Sequence, residues 1–212
     1  MGYHESLTEG RNAVLEAFRS GKTVDRLFVL DGCQDGPVKT ILREAKKQDT
    51  MVQYVKKERL DQLSETKNHQ GVIAYCAACE YAEVSDILEN AKKKGEAPFI
   101  VLLDGIEDPH NLGAIIRTAN QAGAHGVIIP KRRAVGLTAT VARTSAGAVN
   151  YTPVAKVTNL VTVMEDLKKE GMWFVCADMD GEEMYSLNLK GPIGLVIGNE
   201  GEGVSRLVRE KC

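Results

Sequence analysis

Two polar turns carry the residue types best suited to chemistry in this sequence. The first follows the apolar run 99–103 and contains Asn111, with Arg117 further along the chain. The second follows the apolar run 193–197 and contains Glu200. An amide and a guanidinium near the start of one helix can face a single anionic or polar ligand, because arginine binds oxyanions through a planar fork. A carboxylate in such a turn needs a cation or a hydrogen-bond donor beside it.

Gly198, Gly201 and Gly203 surround the carboxylate of the second turn. Glycine permits a positive φ and a close approach of the backbone to a ligand, so we predict both features there. In the first turn, Asn111 is predicted to cap a helix that begins near Leu112. Apolar strands that end in polar turns are typical of α/β proteins, whose ligands bind beyond the carboxyl ends of the strands. The two turns therefore predict one binding site.

Alternating strands and helices in the second half of the chain must position these residues. We predict strands at 99–103, 126–129, 151–155, 172–177 and 193–197. Helices are predicted at 112–122, 137–146, 159–169 and 204–210. Strands separated by helices indicate a mostly parallel sheet, with both turns at its carboxyl edge.

A smaller α/β module precedes this sheet in the sequence. Its predicted helices are 11–19, 38–47 and 58–63, and its predicted strands are 26–30, 52–55 and 71–75. The stretch 78–98 reads as a connector. Part of it is predicted to be helical because apolar residues recur at helical spacing, and the basic run 92–94 followed by Gly95 ends that helix.

The composition is that of an ordinary globular protein. The chain has 212 residues, of which 43% are hydrophobic and 26% charged, and its formal net charge is −2. No apolar run reaches transmembrane length and the N-terminus has no signal-peptide pattern, so the expected location is the cytoplasm. The net charge counts mildly against a nucleic-acid partner, whereas basic groups such as 131–133 can form a local positive stripe.

Five cysteines are present, and Cys76 and Cys79 form a single CxxC. A zinc site requires two further ligands, and the sequence has neither a second CxxC nor a spaced pair of histidines. We interpret the cysteines as free thiols in a reducing compartment and expect no metal site.

Two long segments carry a family resemblance. DPHNLGAIIRTANQAG (108–123) and LVIGNEGEGVS (195–205) resemble the first and second motifs of the SpoU (TrmH) class of the SPOUT superfamily, which are S-adenosylmethionine-dependent RNA 2′-O-ribose methyltransferases. The segment 144–148 resembles a further stretch of that family. EGRNAVLEAF (9–18) and HQGVIA (69–74) are similar to the small RNA-binding domain of RlmB-like 23S rRNA (guanosine-2′-O-)-methyltransferases. The resemblance covers nearly the whole chain.

This resemblance implies a fold, a reaction and partners. A small L30e-like α/β domain at 1–77 would bind RNA, 78–98 would be a linker, and 99–212 would form an α/β-knot methyltransferase domain with a mostly parallel sheet and a deep trefoil knot. The implied cofactor is S-adenosyl-L-methionine. The favoured substrate is a guanosine of 23S rRNA in the peptidyl-transferase region, and the implied assembly is a homodimer through the catalytic domain. A tRNA guanosine is the nearest alternative, and a non-catalytic RNA-binding protein on the same scaffold stays open.

The resemblance also assigns roles to single residues. Arg117 is expected to clamp an RNA phosphate and to stabilise the developing alkoxide. Glu200 is expected to pair with Arg117 or to hold its turn, and Asn111 to donate to the ribose or orient the arginine. Further contacts are carried over by position. Cofactor contacts are expected at Thr144, Ser145, Gly147, Ile197, Gly198 and Asn199, largely through backbone, and RNA contacts at Arg11, Asn12, His69, Lys131, Arg132 and Arg133.

The chain departs from the family pattern in one respect. A third family motif, which contributes an active-site serine and asparagine, does not follow the second motif before Cys212. Ser186 and Asn188 lie in a similar short sequence, but that sequence precedes the second motif, so the active-site role is not transferred to them. For a molecule that stops at Cys212 we expect poor cofactor binding and no methylation. Tight binding of S-adenosylmethionine in a titration of this form would contradict that expectation.

A dinucleotide-binding oxidoreductase is the competing reading of the glycine-rich turn. The glycine loop of that class opens the first βα unit and is followed by an acidic residue about 20 positions later. Here the loop containing Gly203 belongs to the last βα unit of the sequence, so its position excludes this reading.

Overall fold

The computed structural model describes residues 6–212, so the first five residues of the predicted N-terminal domain lie outside it. The described residues form two compact units, which are 6–80 with 136–139, and 81–135 with 140–212. Each unit is built on one β-sheet. No helix in this described part has the length and apolar character needed to cross a membrane. The domain boundaries expected at 77 and 98 stay a proposal.

The first unit is a mixed four-stranded sheet with three helices. Its strands are β1 (Ser6–Glu9), β2 (Val24–Leu30), β3 (Met51–Val55) and β4 (Val72–Cys76), and its helices are α1 (Arg11–Arg19), α2 (Gly36–Lys47) and α3 (Lys57–Leu63). The strand order is β1-β4-β2-β3, with β2 and β3 parallel and β4 antiparallel to both of its neighbours. β1 was not predicted, because its four residues contain a single apolar side chain and show too little alternation.

Glu9, the last residue of β1, fixes the loop that leads to β4. Its carboxylate accepts hydrogen bonds from the backbone N–H groups of Glu65 at 2.8 Å and Thr66 at 3.2 Å. The hydroxyl groups of Ser64 and Thr66 also donate to it. Burial acts to raise the pKa of this carboxyl, but the hydrogen bonds together outweigh burial and hold the pKa below its ordinary value of 4.5.

We expect Glu9 to make the stability of the first unit depend on pH. Because its pKa is lowered in the folded state, its contribution is complete above pH 4.5 and is lost as the pH falls through the lowered pKa. Glu9→Gln should therefore reduce the free energy of unfolding at neutral pH by about 1–2 kcal/mol and have a smaller effect in acid. Denaturant titrations at both pH values measure this. Glu65→Gln is the matched control, because Glu65 contributes only its backbone N–H. An equal loss at both pH values would contradict the prediction.

The second unit is a five-stranded sheet flanked by helices. Its strands are β5 (Phe99–Asp104), β6 (Gly126–Pro130), β7 (Val154–Val157), β8 (Trp173–Cys176) and β9 (Ile193–Gly198). Its helices are α4 (Val84–Lys94), α5 (Pro109–Gln121), α6 (Ala139–Thr144), α7 (Leu160–Lys169) and α8 (Arg206–Arg209). The strand order is β7-β6-β5-β9-β8 and every pair is parallel. The predicted α/β class with a mostly parallel sheet is confirmed.

The core of this sheet accounts for the apolar runs in the sequence. Leu102 and Ile128 are fully buried, as expected for parallel strands that are covered on both faces. The helix predicted within the connector is confirmed as α4, and it packs into this core through Ile87. The side chain of Ile87 occupies the space that a side chain at Gly126 would need. α4 therefore belongs structurally to the second unit.

Several element boundaries differ from the predictions for local reasons. β7 begins at Val154 instead of residue 151, because Ala148–Asn150 form a 3₁₀ turn and the chain then continues as a turn and a bend through residue 152. α6 is shorter than predicted, because Ala146 and Gly147 have positive φ values that a right-handed helix cannot contain. α8 is also shorter and begins at Arg206.

Candidate active site

The topology of the second sheet brings the two polar turns together. From β5 the chain moves outward to β6 and β7, then crosses to β8 at the opposite edge and returns to β9 beside β5. The direction of winding thus reverses between β5 and β9, and ligands of α/β sheets bind outside the carboxyl ends of the strands at such a point. The first turn, 104–111, leaves β5 there, and the second turn, 198–205, leaves β9.

The helix after the first turn begins earlier than predicted. α5 starts at Pro109, and Asp108 is its N-cap, with the carboxylate accepting a hydrogen bond from the N–H of His110 at 2.7 Å. Proline is favoured at the first helical position, where an N–H is not needed, and aspartate is a preferred cap. The prediction that Asn111 caps this helix is therefore wrong. Its side-chain amide is left for another partner.

That partner is Glu200 in the second turn. The Nδ2 of Asn111 donates a hydrogen bond to Oε1 of Glu200 at 2.9 Å, between residues 89 positions apart in the chain. Two roles were predicted for Glu200: an ion pair with Arg117, or a bond that holds the second turn in place. Over residues 6–212 no ion pair joins Glu200 to Arg117. The carboxylate of Glu200 is therefore bonded to Asn111 and not to Arg117, and this bond ties the second turn to the first.

Arg117 lies in the third turn of α5 with an exposed side chain. Its Cα is about 12 Å along the helix axis from the start of α5. In the part of the chain that the structure describes, its guanidinium has no hydrogen-bond or ion-pair partner. An exposed guanidinium without a protein partner is available to an oxyanion, which it can bind through two parallel N–H groups.

Two further hydrogen bonds connect the turns. Oδ2 of Asp104 accepts from the N–H of Ser205 at 2.8 Å. Nδ2 of Asn199 donates to the carbonyl of Gly105 at 2.8 Å. Together with the amide–carboxylate bond above, these are the three cross-turn bonds of the site. No role was predicted for Asp104, and only a cofactor contact was predicted for Asn199.

The segment at the end of α6 packs against α5. Oγ1 of Thr144 lies directly against Gly113 and 3.3 Å from the carbonyl of Pro109. Its closest acceptor, at 2.9 Å, is the carbonyl of Thr140 in its own helix. Gly113 is fully enclosed by this contact, so the two helices approach each other at a position where no side chain fits. The segment 144–148 is thereby held beside the helix that follows the first turn.

We expect Gly113→Ala to destabilise the protein. A methyl group at this position would overlap Oγ1 of Thr144 and lie 3.0 Å from the backbone nitrogen of Ser145. Relief requires the two helices to separate, so the expected loss in the free energy of unfolding is about 1–3 kcal/mol. Denaturant titration measures it. Gly36→Ala is the matched control, because Gly36 is also helical and has open space around it. Unchanged stability of Gly113→Ala would contradict the packing described.

Two of the predicted cofactor residues next to Thr144 have well-defined local roles. Ser145 is fully buried, and its hydroxyl donates to the carbonyl of Ala142 at 3.0 Å. Gly147 has a left-handed conformation with φ 83° and precedes the short 3₁₀ turn. Because the Ser145 side chain is used internally, a cofactor contact from this segment, which stays a prediction, would come from the backbone.

The three glycines of the second turn differ in their roles. Of these three, only Gly203 has a positive φ, at 69°. At Gly198 a side chain would overlap the backbone of Gly203 and Val204, so the close approach there is made by the chain itself. Gly201 has room for a side chain. The predicted positive φ is right for Gly203 and wrong for the other two, because turn geometry demands it at one position only.

At the start of α1, Arg11 and Asn12 are the first of the predicted RNA contacts. The guanidinium of Arg11 forms an ion pair with Asp35 at 2.5 Å and donates to the carbonyl of Gln70 at 3.1 Å. The side chain of Asn12 is exposed. Phosphate binding by Arg11 would have to compete with an acidic partner, whereas binding by Asn12 would not.

His69 has an internal position in the first unit. It is 7% exposed, Nε2 lies 3.0 Å from Oδ1 of Asp61, and Nδ1 accepts from the N–H of Gly71 at 3.0 Å. The ring therefore carries its proton on Nε2 when neutral, and it joins α3 to the start of β4. An RNA contact by His69 stays a prediction, and the burial of the ring does not support it.

The basic segment 131–133 follows β6 at the carboxyl edge of the sheet. The backbone N–H of Lys131 donates to the carbonyl of Val157 at 2.8 Å, which extends the β6–β7 pairing. Arg132 and Arg133 are exposed. Their place on the same edge as the two turns suits a contact with the phosphate backbone of an RNA bound there.

An apolar cavity of about 820 Å³ lies along β8 and β9. Phe174, Ala177, Leu187, Leu195 and Cys212 are among its lining residues, and none of the predicted cofactor residues is. The volume lies within the range of small-molecule sites in proteins. No sequence motif indicates this cavity, because its walls come mostly from apolar residues that form no recognisable pattern.

Asp108 and Asp104 were also missed, for different reasons. The aspartate–proline pair before α5 is a recognisable start signal for a helix, so the role of Asp108 was available in the sequence. No local pattern indicates the bond between Asp104 and Ser205, which are 101 positions apart.

Comparison with known proteins places this fold and site in a family. The profile of the SpoU rRNA Methylase family matches residues 98–212. A second profile, for RNA 2′-O ribose methyltransferase substrate binding, matches residues 7–82. The chain belongs to the SpoU rRNA methylase family, an RNA methyltransferase family, as the sequence motifs predicted.

Individual relatives agree with this assignment. YacO of Bacillus subtilis (strain 168), named as a TrmH family tRNA/rRNA methyltransferase, is 48% identical over 205 residues, covering 96% of this chain and 82% of YacO. The SpoU methyltransferase AviRb from Streptomyces viridochromogenes, solved in complex with AdoMet, has a TM-score of 0.56 at 24% identity, covering 98% of this chain and 78% of AviRb. An rRNA methyltransferase from Sinorhizobium meliloti has a TM-score of 0.54 at 25% identity, covering 99% and 77%. The names of these relatives assign the chain to the family and not to its RlmB-like subgroup.

Proposed function

We propose that this protein transfers a methyl group from S-adenosyl-L-methionine to a ribose 2′-hydroxyl of RNA, at a guanosine in the peptidyl-transferase region of 23S rRNA. The observation that carries the proposal is the hydrogen bond between Asn111 and Glu200, which joins the two family motifs. Asn111 lies on the same helix, α5, as Arg117, whose guanidinium has no partner within residues 6–212. A carboxylate held by an amide, together with a guanidinium, suits transfer to a sugar hydroxyl beside a phosphate.

Each of the three side chains has a defined task in this proposal. Arg117 binds the phosphate next to the target ribose and stabilises negative charge that develops on the 2′-oxygen. It does not act as a base, because arginine stays protonated in proteins. Within the described residues Oε2 of Glu200 has no partner, so it can accept a hydrogen bond from the 2′-hydroxyl and take its proton when the 2′-oxygen is methylated, while Oε1 is held by Asn111. Asn111 thereby orients the carboxylate and fixes the attacking oxygen near the arginine.

S-adenosylmethionine would supply the electrophilic methyl group when bound. The cavity along β8 and β9 suits this cofactor, because its apolar wall would hold an adenosine group and the carboxylate of Glu182 in its lining would attract a positively charged sulfonium. AviRb and a Sinorhizobium meliloti rRNA methyltransferase have been solved with AdoMet bound, which supports the choice. We propose that the backbone at Ile197 and Gly198, at the carboxyl end of β9, also contacts the cofactor, outside the lining of this cavity.

The match of residues 7–82 to a substrate-binding profile supports RNA recognition by the first unit. We take ribosomal RNA as the substrate because this unit is present in addition to the methyltransferase unit. The phosphate contacts proposed in the second unit are Arg132 and Arg133. A homodimer and a cytoplasmic location complete the proposal.

A methyl-transfer assay tests this function. The full-length protein is incubated with S-adenosylmethionine that is tritium-labelled in its methyl group and with either unmodified 23S rRNA or an unmodified tRNA pool, and the RNA is then digested to nucleosides. Labelled 2′-O-methylguanosine from rRNA alone supports the proposal. Label in tRNA alone would replace the substrate, and label on a base would overturn the ribose assignment. RNA binding without transfer would indicate the non-catalytic alternative. Light scattering on the same sample measures the oligomeric state.

A further inference from the structure

Asn199 has every polar group engaged within the protein. Its backbone N–H donates to the carbonyl of Gly203 at 3.0 Å, and its own carbonyl accepts from the N–H of Gly203 at 2.8 Å. Oδ1 accepts from the N–H groups of Gly201 at 2.8 Å and Glu202 at 3.3 Å. Nδ2 donates to the carbonyl of Gly105 at 2.8 Å. The side chain therefore shapes the second turn with its oxygen and fastens that turn to the first with its nitrogen.

Asp104 fastens the other end of the second turn. Its carboxylate holds the N–H of Ser205, the residue at the N-cap of α8. Asp104 also pairs with Gly198 in the sheet, directly before the second turn. Glu200 thus lies on a segment that is tied to the end of β5 both before and after it.

These two bonds are needed because the bond between Asn111 and Glu200 is exposed. A single exposed hydrogen bond contributes about 0.5–1.5 kcal/mol net, which is comparable to the entropy lost when the two side chains are ordered. It cannot by itself keep two loops aligned. The bond from Asn199 is partly buried and is anchored on backbone at its acceptor end, so it is better placed to do so. The bond from Asp104 to Ser205 is also exposed, but its donor is a backbone N–H, so only one side chain has to be ordered to form it.

We propose that Asp104 and Asn199 are positioning residues, which hold the second turn so that Glu200 and Asn111 meet the 2′-hydroxyl in the correct geometry. Neither residue touches the substrate or the cofactor through its side chain. This inference rests on the proposed function and adds to it two residues that act through Glu200.

Two isosteric substitutions separate the bonds from the bulk of the side chains. Asn199→Asp keeps the acceptor for the N–H groups of the second turn but places an oxygen opposite the carbonyl of Gly105. Asp104→Asn keeps one acceptor oxygen for the N–H of Ser205, whereas Asp104→Ala removes it. Glu202→Gln is the matched control in the same turn, because in the described part of the chain the Glu202 side chain forms no hydrogen bond or ion pair.

The expected kinetic result is a change in kcat with little change in KM for S-adenosylmethionine. Asn199→Asp and Asp104→Ala should each lower kcat about tenfold or more, while Asp104→Asn and Glu202→Gln should stay within about threefold of the parent. The double variant Asn199→Asp/Glu200→Gln should be no slower than Glu200→Gln alone, because Asn199 acts through Glu200. Amide hydrogen exchange at 104–111 and 199–205 should be faster in Asn199→Asp, without S-adenosylmethionine or RNA present.

Other results would overturn the proposal. A rise in KM for S-adenosylmethionine with unchanged kcat in Asn199→Asp would make Asn199 a cofactor contact. Multiplicative effects in the double variant would show that Asn199 acts independently of Glu200. If the parent protein transfers no methyl group to any RNA, the proposed function fails, and unchanged amide exchange in Asn199→Asp would then reject the positioning role on structural grounds alone.

Discussion

Replacement of Arg117 by alanine is expected to slow methyl transfer to RNA by about 10³-fold, because loss of one preorganised electrostatic donor costs about 10²–10³ in kcat. The fold should be unaffected, since the side chain is exposed and has no partner within residues 6–212. Surface changes of this kind alter the free energy of unfolding by about 0.5 kcal/mol or less. Single-turnover transfer from labelled S-adenosylmethionine, together with denaturant titration, separates these two quantities.

Two control variants sharpen the Arg117 experiment. Arg117→Lys keeps the charge but loses the planar fork, so its rate should fall between those of the parent and of Arg117→Ala. Arg19→Ala removes an exposed arginine from the first unit and should leave the rate unchanged. A loss of RNA affinity in Arg117→Ala with an unchanged single-turnover rate would reduce its role to uniform substrate binding. A rate equal to that of the parent would remove Arg117 from the mechanism.

The parts of the fold that were predictable are those with local causes. Apolar runs of strand length separated by helical periodicity predicted the parallel sheet, and strands that end in polar turns predicted where the site lies. The start of α5 was misplaced because two residues suited to capping, Asp108 and Asn111, stand close together. Proline at 109 decides between them, since it fits only the first turn of a helix.

The bonds that assemble the site could not be read from the sequence. Each cross-turn bond joins residues about 90–100 positions apart, and their pairing follows from the return of β9 beside β5. Exposure was equally hidden. Ser145 and His69 are residue types that often contact ligands. Both are buried, however, and their polar atoms form hydrogen bonds with nearby backbone or side chains. A polar residue in a motif can therefore hold the local backbone in place without contacting a ligand.

Replacement of Gly198 by alanine is expected to damage both the fold and the site. The added methyl group would overlap the backbone of Gly203 and Val204, and no flexible side chain is available there to move aside. Val204 is 5% exposed and belongs to the core of the second unit, so displacement of this segment also disturbs packing. We expect a loss of about 3 kcal/mol in the free energy of unfolding, at the upper end for overpacked sites. Methyl transfer should be lost as well, because Glu200 lies within the displaced turn.

Gly201→Ala provides the matched control for the Gly198 prediction. Gly201 lies in the same turn, and a methyl group there would meet nothing closer than Oδ1 of Asn199 at 3.5 Å. Its stability and transfer rate should remain close to those of the parent protein. Together the two variants show whether the added methyl group at residue 198 overlaps the protein's own backbone or a bound ligand. If Gly198→Ala were as stable as the parent but failed to bind S-adenosylmethionine in calorimetry, the glycine would be present for the cofactor, because only a bound ligand would then meet the added methyl group.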